Sequence, residues 1–189
     1  IVFASERSLL RGASGSKWIP SSLFLSLAHK FWRAWKRGEI QEEYSQVFPR
    51  GLPSTRGHTI LFLLEDAIDW IQTQMVSLTR PFLSYVHLYP PHYPYTPSKE
   101  FTELFDDGWK PESKKQHFFS EGYSESELNH NRREYDQFVA YTDSEFGRLY
   151  DFLKDNGMMD NTYIIVTSDH GEMFERGIWR HTTPTLYEP

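Results

Sequence analysis

The 189-residue chain has an apolar fraction of 39% and a charged fraction of 24%, values typical of a folded domain. Its formal net charge of −6 gives no global positive field, which argues against nucleic acid as a partner. The absence of cysteine excludes disulfide bonds, zinc–thiolate sites and a thiol nucleophile within this stretch, and no apolar run reaches the roughly 20 residues of a membrane span.

The first 58 residues predict only a loop, one helix and a linker. Residues 1–20 are rich in Ser, Gly, Arg and Lys, which is typical of a loop. Residues 21–38 place apolar side chains at helical spacing and predict a helix. Its segment KFWRAWKRG is typical of a solvated helix packed by its aromatic stripe, and the alternative is a helix that lies on a membrane surface. Pro and Gly then make residues 48–58 a linker, so we treat residues 1–58 as a separate N-terminal segment.

The remaining residues, 59–189, begin with a helix and a strand. Helical spacing continues over residues 59–75 and predicts the second helix. The apolar run Phe82–Leu88 predicts a buried strand that ends in a Pro-rich loop. The polar stretch Lys99–His130 has no clear period, so we expect a long surface excursion that carries substrate specificity.

A helix and a strand follow the excursion. Residues 132–156 keep helical spacing, with Gly157 as the expected stop. The run Thr162–Ser168 is apolar almost throughout, as expected for a strand covered on both faces. A helix, a tight turn and a buried strand predict an α/β fold with a mainly parallel central sheet flanked by helices.

Side chains with metal-binding and proton-transfer chemistry follow both predicted strands. Asp169 and His170 come directly after one strand, and His87 and His92 come at and after the end of the other. Because ligands collect at the carboxyl ends of strands in open α/β sheets, we expect one shared cleft. A carboxylate and an imidazole can bind a divalent cation, and Gly171 allows the chain to leave the strand sharply. An isolated Asp-His-Gly is more often a helix cap beside a half-exposed histidine.

Two long segments carry more information than this tripeptide. They read DNTYIIVTSDHGEMFERGIWRHTTPTLYEP at the end of the chain and RPFLSYVHLYPPHYPY before the excursion. Both resemble the sulfatase family of the alkaline phosphatase superfamily, in which a buried strand delivers an Asp followed by Asn or His to a calcium ion. In the same family a His of the earlier segment contacts the sulfate group. The helix YDQFVAYTDSEFGRLYDFLKDNGMMDNT is similar to the family's helix before the metal strand, and the resemblance covers residues 59–189.

This resemblance implies a role for each matching residue. Asp169 and His170 would be metal ligands, and His92 would contact the sulfate group. His181 stands where many sulfatases have Lys, so it would donate to the substrate oxyanion or ligate metal as in the superfamily's phosphodiesterases. Arg180 is a candidate for substrate binding from its position in the motif.

Two parts of the family's catalytic centre are absent from this stretch. Sulfatases use a formylglycine made from Cys or Ser in a C/S-x-P-x-R motif, and an Asp-Asp pair near the start of the domain completes the calcium site. The segment SERSLLRG resembles the residues that follow this motif, but that alignment puts Val2 at the nucleophile. The chain also starts at Ile1 without a signal peptide pattern. We therefore expect an interior fragment that lacks the N-terminal nucleophile motif and the C-terminal part, and that is inactive alone.

The resemblance implies that the intact protein is a sulfuric ester hydrolase acting on a sulfated small molecule or glycan. The implied cofactor is a divalent cation, Ca²⁺, which offsets charge on the ester oxygens while imidazoles donate hydrogen bonds or protonate the leaving alcohol. One alternative is a phosphodiesterase or phosphotransferase of the same superfamily, with a Ser or Thr nucleophile and two Zn²⁺ or Mn²⁺ ions. The other alternative is a non-catalytic module that binds an anionic glycan or a partner.

Overall fold

The computed structural model describes residues 38, 40–53, 63–106, 108 and 110–181. The predicted loop at 1–20 and nearly all of the helix predicted at 21–38 lie outside the described residues. Within them, two helices and a short hairpin are the regular elements that position the site. No helix in the described ranges is both long and apolar enough to cross a membrane.

The first long helix, α1, spans Leu64–Ser77. It confirms the helix predicted at residues 59–75 for the part that the structure describes. Acidic residues in its first turn interact favourably with the positive end of the helix dipole. Its buried side chains recur at helical spacing and face the core: Leu64, Ala67, Ile68 and Ile71.

The second long helix, α2, spans Glu125–Asp155. Ser124 is its N-cap and forms a capping box with Glu127: the Ser124 hydroxyl accepts from the Glu127 backbone N–H, and the Glu127 carboxylate accepts from the Ser124 backbone N–H. The helix therefore begins earlier than the predicted residue 132. The prediction of an irregular excursion is wrong for residues 125–130, because this capping box nucleates the helix there.

Helices α1 and α2 pack against each other and divide the core into two clusters. Two polar contacts fix their relative position, the hydroxyl of Tyr141 donating to Oε2 of Glu65 at 2.6 Å and Arg148 pairing with Asp69. One cluster lies near the hairpin and contains Phe48, Leu52, Leu64, Tyr95, Leu128, Phe138, Tyr141 and Trp179. The other contains Ile68, Ile71, Leu149, Leu153 and Met158.

The sheet of the described residues is an antiparallel hairpin of strands β1 (Phe174–Glu175) and β2 (Ile178–Trp179). Its two-residue turn, Arg176 and Gly177, has φ angles of 56° and 77°. Positive φ at both positions is typical of the type I′ turn that suits the twist of a hairpin. A Cβ atom at Gly177 would overlap the Ser120 hydroxyl, so this position requires glycine for two reasons.

The strands predicted at Phe82–Leu88 and Thr162–Ser168 are not formed in the described structure. A strand forms only where a neighbouring strand takes its backbone hydrogen bonds, and none of the residues that the structure describes pairs with either run. Tyr163 and Ile165 are accordingly 96% and 87% exposed rather than buried. The mainly parallel central sheet therefore stays a prediction.

Candidate active site

The register of the hairpin places an acid opposite a histidine. Backbone pairing continues one step beyond the strands, because the N–H of Arg180 donates to the carbonyl of Met173 at 3.1 Å. The next pair in the same register is Glu172 and His181. Their side chains meet, with Nδ1 of His181 2.8 Å from Oε1 of Glu172. The two-residue turn thus fixes which acid reaches this imidazole.

Three imidazoles that come from two distant segments of the sequence lie in one cluster. The rings of His170 and His181 stack, with centroids 3.8 Å apart and planes inclined by 30°. The ring of His92 lies edge-on to His181 at 6.1 Å, and its other side stacks on Tyr89 at 4.5 Å. The structure therefore brings together the three histidines that the resemblance assigned to metal and sulfate.

The same ring nitrogen acts as donor in all three histidines. Nδ1 of His92 and Nδ1 of His170 each lie close to a neighbouring backbone carbonyl oxygen, at 2.6 and 2.8 Å. A carbonyl oxygen only accepts, so Nδ1 carries the proton in both rings. Nδ1 of His181 faces a carboxylate oxygen of Glu172, and the same reasoning applies. Each ring therefore leaves Nε2 free of these contacts: in the neutral ring Nε2 can bind a metal ion, and in the doubly protonated ring it can donate to a substrate oxygen.

Glu172 is held from two sides in a buried position. Only 7% of its side chain is exposed. The hydroxyl of Tyr95 donates to its Oε2 at 2.6 Å, and Nε1–H of Trp179 donates to that hydroxyl at 3.4 Å. Burial, and then the hydrogen bond to Glu172, raises the pKa of Tyr95 well above its usual value, so Tyr95 remains a neutral donor at physiological pH.

Asp169 and His170 fit part of a coordination shell for a divalent cation. The Asp169 side chain is 71% exposed, and its Oδ1 lies 3.8 Å from Nε2 of His170. Two atoms that each lie about 2.0–2.6 Å from one ion are at most about 5 Å apart, so both can contact the same cation. Within the described residues no third Asp, Glu or His completes a metal cluster. The remaining ligands would come from elsewhere in the protein.

The charge state of Asp169 suits this role. Burial raises the pKa of its carboxyl group, but hydrogen bonds from the backbone N–H groups of Asp169 and His170 and the nearby imidazoles of His170 and His87 together lower the pKa below its usual value. An ionised carboxylate is the form that hard cations prefer. His87 itself is exposed and lies close enough to Asp169 to contribute to this effect.

Arg180 lies beside the cluster on an aromatic platform. Its guanidinium carbon is 5.1 Å from the ring centre of Tyr93 and 4.6 Å from that of Trp179. The stacking is favourable because the aromatic faces carry partial negative charge. Its backbone has φ 85°, a strained value for a residue other than glycine. The positively charged guanidinium of Arg180 is thus held on these two rings, and Arg180 directly precedes His181 in the chain.

Two residues of this site escaped the sequence reasoning. Glu172 follows the Asp-His-Gly turn directly, and because the chain enters the hairpin there, only 7% of the Glu172 side chain is exposed. The Arg-Gly pair between apolar residues at 174 and 178 was a signal for this hairpin. Tyr95 lay inside the quoted PHYPY segment, and no signal in the sequence pointed to its contact with an acid 77 positions away.

Comparison with known proteins identifies the family. A model of the sulfatase family matches residues 16–189. A choline-sulfatase of Rhizobium meliloti is 30% identical over 122 residues, which cover 53% of this chain and 23% of that protein. An arylsulfatase K of Xenopus laevis is 28% identical over 58% of this chain and 26% of its own length. A ulvan-active sulfatase of Formosa agariphila is 27% identical over 74% of this chain and 27% of its own length.

The chain thus spans about a quarter of the length of the curated relatives it matches. No solved structure matches significantly. The fold that this family implies is the alkaline phosphatase-like α/β fold, of which the described residues supply helices and a hairpin. The family match covers far more than half of the sequence and includes every residue of the histidine cluster. The chain belongs to the sulfatase family.

Proposed function

We propose that the intact protein hydrolyses a sulfate ester, and that the histidine cluster is the part of its active site supplied by this chain. The observation that carries the proposal is the meeting of His92, His170 and His181, each with Nδ1 already used as donor. Family membership and the sulfatase names of three relatives support the reaction class. The substrate class is a sulfated small molecule or glycan.

His92 and His181 are the proposed catalytic contacts to the sulfate group. Cleavage of a sulfate ester accumulates negative charge on the sulfate oxygens and on the leaving oxygen. A protonated imidazole donates from Nε2 to such an oxygen, and it can also pass a proton to the leaving alcohol. Arg180, fixed on its aromatic platform, is the proposed third contact, attracting the anionic ester by charge.

Asp169 and His170 are the proposed metal ligands. The ionised carboxylate and the exposed position of Asp169 fit Ca²⁺ best, while the added nitrogen ligand would also suit Zn²⁺ or Mn²⁺. A cation bound there would supply electrostatic stabilisation of the ester oxygens. The chain's own contribution is to hold one ligand ring, His170, in stacking contact with a substrate-contacting ring, His181.

We also propose that the 189-residue chain alone has no turnover. Its sequence contains no C/S-x-P-x-R segment, which is the source of the nucleophile in sulfatases that it resembles. The described residues therefore provide groups that orient the ester and stabilise charge, but no nucleophile of that kind.

The proposal is tested with the full-length protein and two matched esters, an aryl sulfate and the corresponding aryl phosphate. We expect turnover of the sulfate ester, loss of turnover after EDTA treatment, and recovery on addition of Ca²⁺. Preferred turnover of the phosphate ester, restored by Zn²⁺ or Mn²⁺, would overturn the proposal in favour of a phosphoesterase. Binding of sulfated glycans without turnover of either ester would overturn the proposal as well, and it would indicate a non-catalytic binding module.

A further inference from the structure

We propose that Glu172 is a positioning residue that holds His181 in the tautomer with the proton on Nδ1, and that Tyr95 fixes the Glu172 carboxylate for this purpose. This deepens the proposed function, since the catalytic consequence depends on His181 acting on the sulfate group. The tautomer itself is a property of the folded chain and can be measured without any reaction.

The first argument is geometry. The type I′ turn at Arg176 and Gly177 sets the hairpin register, and the continued pairing of Arg180 with Met173 places Glu172 opposite His181. The 2.8 Å contact joins a buried carboxylate to Nδ1. Because an ionised carboxylate only accepts hydrogen bonds, Nδ1 must be the donor. Nε2 is then an acceptor in the neutral ring and a donor in the charged ring, so it is the nitrogen that can serve the substrate.

The second argument is the direction of every hydrogen bond that converges on Glu172. His181 donates to Oε1, and Tyr95 donates to Oε2. Trp179 in turn donates to the Tyr95 oxygen, which leaves the Tyr95 proton for Glu172. The two carboxylate oxygens therefore have separate, fixed donors. If a hydrogen-bond donor replaced Oε1 of Glu172, it would face the N–H at Nδ1 of His181. Two donors cannot form a hydrogen bond with each other, so the proton could not stay on Nδ1.

This arrangement makes a specific prediction for Glu172→Gln, which keeps the shape of the side chain. The Tyr95 hydroxyl would donate to the amide oxygen and so would turn the amide NH₂ toward His181. An NH₂ group needs an acceptor, so the proton of the neutral imidazole would move from Nδ1 to Nε2. Removing the second anchor as well, in Glu172→Gln with Tyr95→Phe, frees the amide to turn either way, and a mixture of tautomers is expected.

The measurement is a long-range ¹H–¹⁵N correlation spectrum of the imidazole rings, recorded at a pH at which the rings are neutral. Loss of one signal set in His181→Ala assigns His181. We expect the Nδ1–H form in the unsubstituted protein and in Tyr95→Phe, the Nε2–H form in Glu172→Gln, and both forms in the double variant. Glu175→Gln is the matched control: it removes an acid of the same hairpin that pairs with Lys114, and it leaves the tautomer unchanged.

Two results would overturn the positioning role. One is an Nε2–H form of His181 in the unsubstituted protein, a test that needs no variant to fold. The other is an Nδ1–H form that persists in a folded Glu172→Gln protein.

Kinetics on the full-length protein then tests the catalytic consequence. Glu172→Gln should lower kcat for a sulfate ester by roughly 10²–10⁴-fold with little change in KM. An amide NH₂ that faces Nδ1 disfavours the doubly protonated ring, which is the form that can pass a proton from Nε2 to the leaving alcohol, while the other binding groups remain. Glu175→Gln should match the unsubstituted protein. A tautomer change without a loss of kcat would overturn the catalytic part of this inference. Absence of sulfate ester turnover in the unsubstituted protein would overturn the proposed function and leave the tautomer result standing.

Discussion

His170 and His181 stack face to face, with their ring centroids 3.8 Å apart. One ring belongs to the segment with the proposed metal ligand Asp169, and the other follows the hairpin strand β2. The stacking joins these two segments at the point where the metal ion and the sulfate group would meet. A change in either ring is therefore expected to affect both tasks.

His181→Ala should lower kcat of the full-length protein on a sulfate ester by roughly 10²–10⁴-fold, because it removes a proposed proton donor to the reacting group. Steady-state kinetics measures the effect. His130→Ala is the control, since His130 lies on α2, has a side chain that is 58% exposed, and pairs with an acid of its own helix, Glu134. Equal kcat in the two variants would remove His181 from the catalytic residues.

Asp169→Asn should abolish the stabilisation of the full-length protein by Ca²⁺. A cation that binds only the folded state raises the midpoint temperature of unfolding with its concentration, and the amide loses the charge that attracts it. Thermal unfolding with and without Ca²⁺ gives the shift. Asp160→Asn removes another exposed carboxylate, nine positions earlier in the chain, and should retain the full shift. A calcium shift that survives in Asp169→Asn places the cation elsewhere.

Ser124→Ala should destabilise the fold by about 1 kcal/mol at neutral pH, because the α2 capping box is lost. Denaturant unfolding measures this cost, and Ser126→Ala, which changes an exposed serine two residues into the helix, should cost less.

The same cap predicts a dependence on pH. Hydrogen bonds from the backbone N–H and the hydroxyl of Ser124 lower the pKa of Glu127 below its usual 4.5. A lowered pKa in the folded state means that ionised Glu127 stabilises the fold above pH 4.5, and that this contribution is lost as the pH falls through the lowered value. The difference between the unsubstituted protein and Ser124→Ala should therefore shrink in acid. A difference that stays constant down to pH 3 would contradict the role of the carboxylate.

Phe138→Ala should destabilise the fold by about 3–5 kcal/mol, because Phe138 is 1% exposed and its removal leaves a cavity between α1, α2 and the hairpin. Phe118→Ala removes the same side chain at a position that is 90% exposed, so a change within about 0.5 kcal/mol is expected. Chemical denaturation of both variants compares the same substitution in two environments. Similar losses would mean that Phe138 does not belong to a cooperative core.

The helices were predictable because their signals are local. Apolar spacing located α1 and most of α2, and the Ser124–Glu127 pair, which was overlooked, marks the start of α2 in the sequence itself. The runs Phe82–Leu88 and Thr162–Ser168 have strand composition, but a strand depends on a partner that local sequence does not specify. The prediction of a buried, paired strand therefore fails where the prediction of a helix succeeds.

The residues of the candidate site also divide into those that local sequence predicts and those that depend on distant contacts. His92, His170 and His181 came from motif resemblance, and the structure brings them together although they are up to 89 positions apart. Glu172 and Tyr95 were not predicted, because the first depends on hairpin register and the second on a contact between distant segments. The proposed metal ligand Asp169 was found by its place after an apolar run, and its role as a metal ligand stays a prediction.

The hairpin turn at Arg176 and Gly177 accepts backbone hydrogen bonds from a separate loop, residues 117–121. The N–H of His117 donates to the carbonyl of Arg176 at 3.0 Å, and the N–H of Glu121 donates to the carbonyl of Gly177 at 2.9 Å. Residues 117–121 belong to the excursion in which we expect substrate selectivity. Exchange of this loop between relatives would thus disturb the turn that positions His181, so selectivity and rate would change together. A successful transplant would have to carry the loop and the hairpin as one unit.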